Sequence, residues 1–391
     1  MTTPITFVTP RYGTEVLGGA EAGARQLATR LAADGRDVAV ITTRALSMRT
    51  WADHYPAGTT TEDGVSVTRC SVDGPRAGDF GAQSDALLPR AAEATSAECE
   101  RWIDAQGPTS SELVEAVSAV ADGVLVFYPY LYHPTVAGHR AAQVPTILYP
   151  AAHAEAPLDL PVFDEVFGET DGIAYHTRAE QELVHRRFPS TVSSVQAMVG
   201  LPVEMGQTPD PEGARAALGL GDEPFALCLG RVDPGKGVHD LVERFDRHVG
   251  LGGAGRLIVA GAVDGAAPSG RGVTCIGPIP EKHKSGLLAA ADVLINPSFY
   301  ESFSIVILEA WLAGTPVLVN GWCGPMVEHV TQSGGGLFYT GVADFDLALE
   351  RLLGDAELRT RMADAGGEYV RRRYAWPSVR TRFDGLIDAV S

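Results

Sequence analysis

Between Gly230 and Pro316 the chain gathers residue types that handle phosphates and hydroxyls. Gly230-Arg-Val-Asp-Pro-Gly-Lys-Gly237 carries two cations, Arg231 and Lys236, in a glycine-rich loop. Tyr300-Glu-Ser-Phe-Ser-Ile-Val-Ile-Leu-Glu309 carries two carboxylates, Glu301 and Glu309, with seven residues between them. Each segment lies where a strand pattern gives way to a helical one. In open α/β sheets that is where phosphate-bearing ligands bind. Cations suit a diphosphate and acids suit hydroxyls, so the two segments together fit a nucleotide sugar.

Taken alone, Gly230-x-x-x-x-Gly235-Lys236 is close to a P-loop, and a P-loop-like NTPase is the alternative it raises. That motif needs Ser or Thr after the lysine to hold Mg²⁺, and Gly237 has no hydroxyl. A tight Asp-Pro-Gly turn with two solvated cations is the plain structural alternative. Acids at this spacing are also common in a chain with 49 Asp and Glu. Their context is more informative. Ser302 and Ser304 can cap a helix whose apolar positions Ile305, Leu308 and Leu312 follow helical spacing. Glu301 then precedes the helix and Glu309 sits in its early turns. The backbone N–H groups of Ser304, Ile305 and Val306 would face a ligand at the positive end of the helix dipole.

The pattern Gly-Arg-x-x-x-x-Lys-Gly followed by Glu-x₇-Glu resembles the retaining family-4 glycosyltransferases. The likeness extends to Gly18-Gly19-Ala-Glu21 before the first helix, Asp292-Val-Leu-Ile-Asn-Pro-Ser298 before the acidic motif, and Ala313-Gly-Thr-Pro-Val317 after it. Serines stand at 302 and 304, where that family most often has glycine. The resemblance implies an α/β fold of GT-B type, two doubly wound Rossmann-like domains facing each other across a cleft. It implies that Arg231 and Lys236 neutralise the departing diphosphate, Glu309 binds the ribose and Glu301 the donor sugar. Gly230, Ser304, Ile305 and Val306 would complete the donor site, with Gly18 and Gly19 letting backbone approach the diphosphate or acceptor. A non-catalytic nucleotide-sugar-binding protein of the same fold is the remaining alternative, and the intact cations and acids argue against it.

The 391 residues suggest about two domains. Hydrophobic content of 45% with 20% charged residues is that of an ordinary globular protein. A net charge of −18 disfavours a nucleic-acid partner. Five widely spaced cysteines without Cys-x-x-Cys read as free thiols in a reducing compartment. With no signal-peptide pattern over Met1–Pro10 and no run long enough to cross a bilayer, a cytoplasmic protein is expected. The basic runs His185-Arg-Arg187 and Arg371-Arg-Arg373 read as solvated helix faces, so peripheral membrane contact is not favoured.

The strands that must position these residues come in two series. Ile5–Val8, Asp37–Thr43, Val124–Tyr128, Thr146–Tyr149 and Gly172–Tyr175 alternate with helical patterns, as parallel βαβ units do. A polar segment with Pro202, Pro209 and Pro211 then breaks the pattern. Phe225–Leu229, Leu257–Ala260, Val273–Ile276, Val293–Ile295 and Val317–Val319 form the second series. The expected domains are 1–203, for the acceptor, and 204–375, for the nucleotide sugar, with a helix over 376–391 returning to the first, as in GT-B enzymes.

His153 follows an apolar strand and is expected to face the cleft; by resemblance it contacts the donor sugar. Tyr128-Pro-Tyr-Leu-Tyr-His133 reads equally as an aromatic acceptor wall or as core. Gly334-Gly-Gly336 is expected to be a mobile loop. No metal constellation is legible: Asp344-Phe-Asp346 opens an expected helix over Leu347–Leu353. No cofactor is expected beyond the nucleotide-diphosphate sugar as co-substrate, and the reaction is expected to be metal-independent. The acceptor would be a sugar, a lipid-linked saccharide or a small molecule.

Overall fold

A computed structural model describes residues 3–16, 18–206, 208–221, 223–263 and 265–391. Met1 and Thr2 of the segment read for a signal peptide, and Gln207 of the polar segment, lie outside the described residues. Two compact units form, residues 1–202 with 379–391, and residues 203–378.

Unit 1 is built on the strands β1 (Ile5–Thr9), β2 (Val38–Thr43), β3 (Gly58–Glu62), β4 (Val65–Cys70), β5 (Val124–Phe127), β6 (Thr146–Leu148), β7 (Gly172–Tyr175) and β8 (Val195–Met198). They lie in the order β3-β4-β2-β1-β5-β6-β7-β8, parallel except for the β3–β4 hairpin. The central strands β1, β5, β6 and β7 are buried on both faces. This is why they read as short continuous apolar runs rather than alternating ones. The chain moves to either side of β1, with β2 on one flank and β5 on the other.

Unit 2 holds β9 (Ala226–Leu229), β10 (Leu257–Ala260), β11 (Val273–Gly277), β12 (Val293–Asn296), β13 (Val317–Asn320) and β14 (Gly336–Tyr339). Their order is β11-β10-β9-β12-β13-β14, all parallel. The direction of winding reverses at β9, between β10 and β12, and the crevice beyond such a reversal is the usual ligand position. Leu241, Val242 and Phe245 of the helix Val238–Gly250 pack into the core under β9 and β10.

The helix Trp376–Val390 contributes its residues from Val379 onward to unit 1. Phe383 stacks on Phe7 of β1 with ring centroids 6.1 Å apart and planes 11° from parallel. Arg36 pairs with Asp384, Arg380 with Asp34 at 2.9 Å, and Arg382 donates to the Val199 carbonyl at 2.8 Å.

Two local expectations differ from the structure, and an open one is resolved. Gly334-Gly-Gly336 is not a loop of its own. Gly334 (φ 68°) ends the helix Gly324–Ser333 in left-handed conformation, Gly335 accepts the Trp311 indole N–H at 2.7 Å, and Gly336 opens β14. A Cβ on Gly336 would lie 2.1 Å from the Val317 carbonyl, so close strand approach accounts for that glycine. The helix expected at Leu347 starts at Val342, because Asp344 accepts from the N–H groups of Thr340 and Gly341 and caps it one turn earlier. The aromatic loop takes the core alternative: Tyr128 and Tyr130 are buried, and Tyr130 packs edge-on against Phe163 at 4.7 Å.

Candidate functional site

The loop after β9 is held by its own backbone. Buried Val232 donates to the Ala262 carbonyl at 2.9 Å, extending the β9–β10 pairing past Gly230. Arg231, the residue after Gly230, stands out exposed and pairs with Asp233 at 3.7 Å. Gly230 has φ 152°, which side-chain-bearing residues rarely adopt. Asp233 then accepts the Lys236 N–H, closing a short 3₁₀ turn over Pro234–Lys236. Gly237 begins the next helix at φ 65°, and a Cβ there would lie 2.5 Å from the Pro297 carbonyl. The position therefore has no room for the serine or threonine of a P-loop.

The loop after β12 meets this one. Lys236 Nζ donates to Glu301 Oε1 at 2.8 Å, joining residues 65 positions apart. The two are partly exposed, so the pair organises the loops more than it stabilises the fold. An ammonium has three donors, and Glu301 takes one of them. Two buried polar residues shape the Glu301 loop. Asn296 accepts the Ser298 N–H at 3.0 Å, and the Ser298 hydroxyl accepts the Tyr300 N–H at 3.3 Å.

Ser304 is the residue preceding the helix Ile305–Leu312, but it does not cap with its hydroxyl. That oxygen receives the Asn296 amide at 2.8 Å, and the residue sits at φ 59°, ψ 65°. The expected serine cap is thus replaced by a left-handed turn. Such a conformation costs a non-glycine residue about 1–3 kcal/mol and clusters at functional sites. The first N–H groups of the helix, Ile305 and Val306, have no intrahelical partner by geometry.

Glu309, in the second turn, pairs with Lys284 at 2.7 Å. Burial pushes the Glu309 carboxyl above its ordinary range, and the Lys284 ammonium pulls it back. Burial also opposes the charge on Lys284, but Glu309 and then Glu281 outweigh it, so its pKa is raised. The two groups line a pocket of about 370 Å³ with Glu204, Glu281 and Lys282. Lys284 was not anticipated from sequence: in Glu281-Lys-His-Lys284 only the fold tells which cation turns inward.

Gly18, Gly19 and His153 lie in unit 1, so they belong to a different compact body from the other candidate residues. A Cβ on Gly18 would lie 2.1 Å from a carboxylate oxygen of Glu21, which is bound to buried Arg11. Gly18 therefore makes room for that pair, whereas Gly19 faces open space. His153 Nδ1 lies 3.0 Å from Glu155 Oε1, which also accepts the Tyr130 hydroxyl at 3.0 Å. Just before it, Ala151 is left-handed (φ 52°) and Ala152 donates to buried Glu180 at 2.7 Å. Glu180 also receives the backbone N–H of His176 at 2.7 Å. Glu155 and Glu180 were likewise not singled out from sequence, since nothing in their spacing marks them.

Cys70, Cys99, Cys228 and Cys323 are buried free thiols and Cys275 is a half-buried one. Among the described residues no group of three His, Cys, Asp or Glu side chains could hold a metal, and no helix is long and apolar enough to cross a membrane. The basic runs occupy the last turns of Arg178–Arg187 and Ala356–Arg373, where the helix dipole favours cations.

Residues 212–369 match the model of the family described as Glycosyl transferases group 1. The whole chain superposes on sucrose-phosphate synthase from Thermosynechococcus elongatus with TM-score 0.68 at 18% identity, covering 99% of this chain and 98% of that one. It also superposes on Anabaena Alr3699/HepE, in complex with UDP and glucose, with TM-score 0.69 at 14% identity, over 99% and 100%. The fold is therefore of the GT-B type. The family match falls within the second unit, which is similar to the group 1 glycosyltransferases over those residues. In sequence the chain is similar to the D-inositol 3-phosphate glycosyltransferase of Stackebrandtia nassauensis, 29% identical over 268 residues. That match covers 61% of this chain and 58% of the relative, so the chain spans little more than half of that protein's length.

Proposed function

We propose that the protein is a retaining glycosyltransferase that moves a sugar from a nucleotide-diphosphate sugar to an acceptor hydroxyl. The observation that carries this reading is the convergence of Lys236 and Glu301 at the winding reversal of unit 2, with Arg231 on the same loop and Glu309 on the following helix. Arg231 and Lys236 neutralise the charge growing on the departing diphosphate, and preorganised charge of this kind is usually the largest catalytic contribution. The N–H groups of Ser304, Ile305 and Val306 add the positive end of a helix dipole. Glu309 accepts from the ribose hydroxyls and Glu301 from those of the donor sugar; the family resemblance gives His153 a donor-sugar contact as well. Gly18, Gly19 and Gly230 allow close backbone approach. The fixed cations stand in for a divalent metal.

In the transfer, the donor's anomeric carbon–oxygen bond breaks and the acceptor oxygen bonds to that carbon on the same face. The acceptor proton passes to an oxygen of the leaving phosphate. An inverting route needs a general base on the opposite face; His153 is the candidate for that role, and the family resemblance supports giving it a donor-sugar contact instead. For the acceptor, the relative named for D-inositol 3-phosphate makes a small phosphorylated polyol the first compound to try. UDP-glucose is the first donor, because a protein of this fold is held in complex with UDP and glucose. The test is a melting-temperature panel with UDP-, GDP- and ADP-sugars, then turnover with and without EDTA and NMR of the product's anomeric coupling. An α-linked product from an α-linked donor, formed in EDTA, is expected; a β linkage overturns the front-face mechanism.

A further inference from the structure

A second pocket of unit 2, of about 190 Å³, opens at the carboxyl ends of β12, β13 and β14. It lies toward the β13–β14 side of the sheet, while the Glu309 pocket is lined by residues that follow β11. Arg231, Lys236, Glu301 and Glu309 are not among its walls. The volume is below the roughly 300–1,000 Å³ of sites that hold drug-sized ligands, so it suits a single ring rather than a nucleotide.

Its walls have a definite chemistry. Trp322 is 71% exposed yet held at both ends: its backbone N–H donates to Asn320 Oδ1 and its indole N–H to the Thr340 carbonyl, each at 3.1 Å. An indole kept in water in one orientation offers a flat apolar face to a ring with axial C–H groups. Phe299, 40% exposed, and buried Tyr339 extend that surface. Arg244 lines the same pocket, its guanidinium carbon 5.7 Å from the Tyr339 ring centroid. Among the described residues its Nη1 is buried without a hydrogen-bond partner, an expensive arrangement unless a ligand completes it. Asp240, one turn earlier on that helix, supplies an acceptor for hydroxyls.

We propose that this pocket binds one pyranose unit carrying a negative charge, its ring on Trp322, its carboxylate or phosphate on Arg244 and its hydroxyls toward Asp240. The charged unit is either a uronic acid residue of a saccharide or a free sugar phosphate. Binding here does not depend on the transfer reaction and is measurable without turnover.

The experiment is titration of the whole protein with glucuronate, glucose 6-phosphate and glucose, followed by tryptophan fluorescence and saturation-transfer NMR. Wild-type protein is expected to bind at least one charged sugar roughly 10-fold more tightly than glucose, the advantage of one charge-assisted contact. Preference for glucuronate identifies the uronic acid source and preference for glucose 6-phosphate the phosphate source. Arg244→Met should erase the preference, and Trp322→Ala should abolish the fluorescence change and weaken all three sugars. Unchanged melting temperature and nucleoside diphosphate binding in both variants show that fold and donor site are intact. Equal affinity for glucose and the charged sugars, or charged-sugar binding unaltered in both variants, overturns the proposal whatever the fate of the transferase reading.

Discussion

Arg231 and Lys236 differ in how their charges are held. Arg231 is exposed beside Asp233 at 3.7 Å, while Lys236 is anchored on Glu301 at 2.8 Å. Arg231→Ala and Lys236→Ala should each lower turnover by roughly 10²–10³, with unchanged melting temperatures; near-normal rates in both would remove them from the mechanism. The Glu309–Lys284 pair gives a pH dependence with a definite sign. In its proposed role Glu309 accepts ribose hydroxyl protons only as a carboxylate, and burial raises its pKa above the ordinary glutamate range. Nucleoside diphosphate binding should therefore be complete above that raised pKa. It should weaken as pH falls through it, at a higher pH than an ordinary glutamate would give. Lys284→Met removes the opposing charge and should move this acid limb further up. Calorimetric titrations across the acid range would read it, and a limb unmoved in the variant would disconnect Glu309 from the nucleotide.

Elements place these residues through tight turns at their ends. Gly237 starts one helix at φ 65°, and Ser304 starts another at φ 59°. Gly237→Ser would combine left-handed strain with a Cβ 2.5 Å from the Pro297 carbonyl. It should cost about 1–3 kcal/mol, measured by chemical denaturation followed in unit 2; a stability equal to wild type would mean that the β12 loop yields freely. Much of this level is legible in sequence. Each buried strand announces itself as an apolar run, and Asp63-Gly64 between Glu62 and Val65 is a hairpin-turn signal. The lengths of the loops around Ser304 are not legible, because a left-handed serine is chosen by its contact with Asn296 and not by its own preference.

At the scale of the molecule, chain order and compact units do not coincide, since residues 379–391 belong to unit 1. Phe383, fully buried on Phe7, ties the last helix to the first strand. Phe383→Ala should destabilise unit 1 by about 3–5 kcal/mol. Hydrogen exchange resolved by segment would check it: β1 and its neighbours should lose protection while β9–β14 keep theirs. Uniform loss across both sheets would mean that the two units unfold as one.

By itself the sequence determined the α/β class, the two strand series and the spacing of the cations and acids. These follow from short-range rules of period, turn chemistry and motif, which need only neighbouring residues. Only the tertiary structure decided that Lys236 reaches Glu301, that Glu309 reaches Lys284 and that Asn296 takes the hydroxyl expected to cap a helix. It also turned three glycines from an expected loop into a helix end and a strand start, and gave Gly18 its reason in the Arg11–Glu21 pair. Partners such as 236 and 301 are chosen by strand order in the sheet. That order depends on how all the elements pack at once, and no local window of the chain carries it.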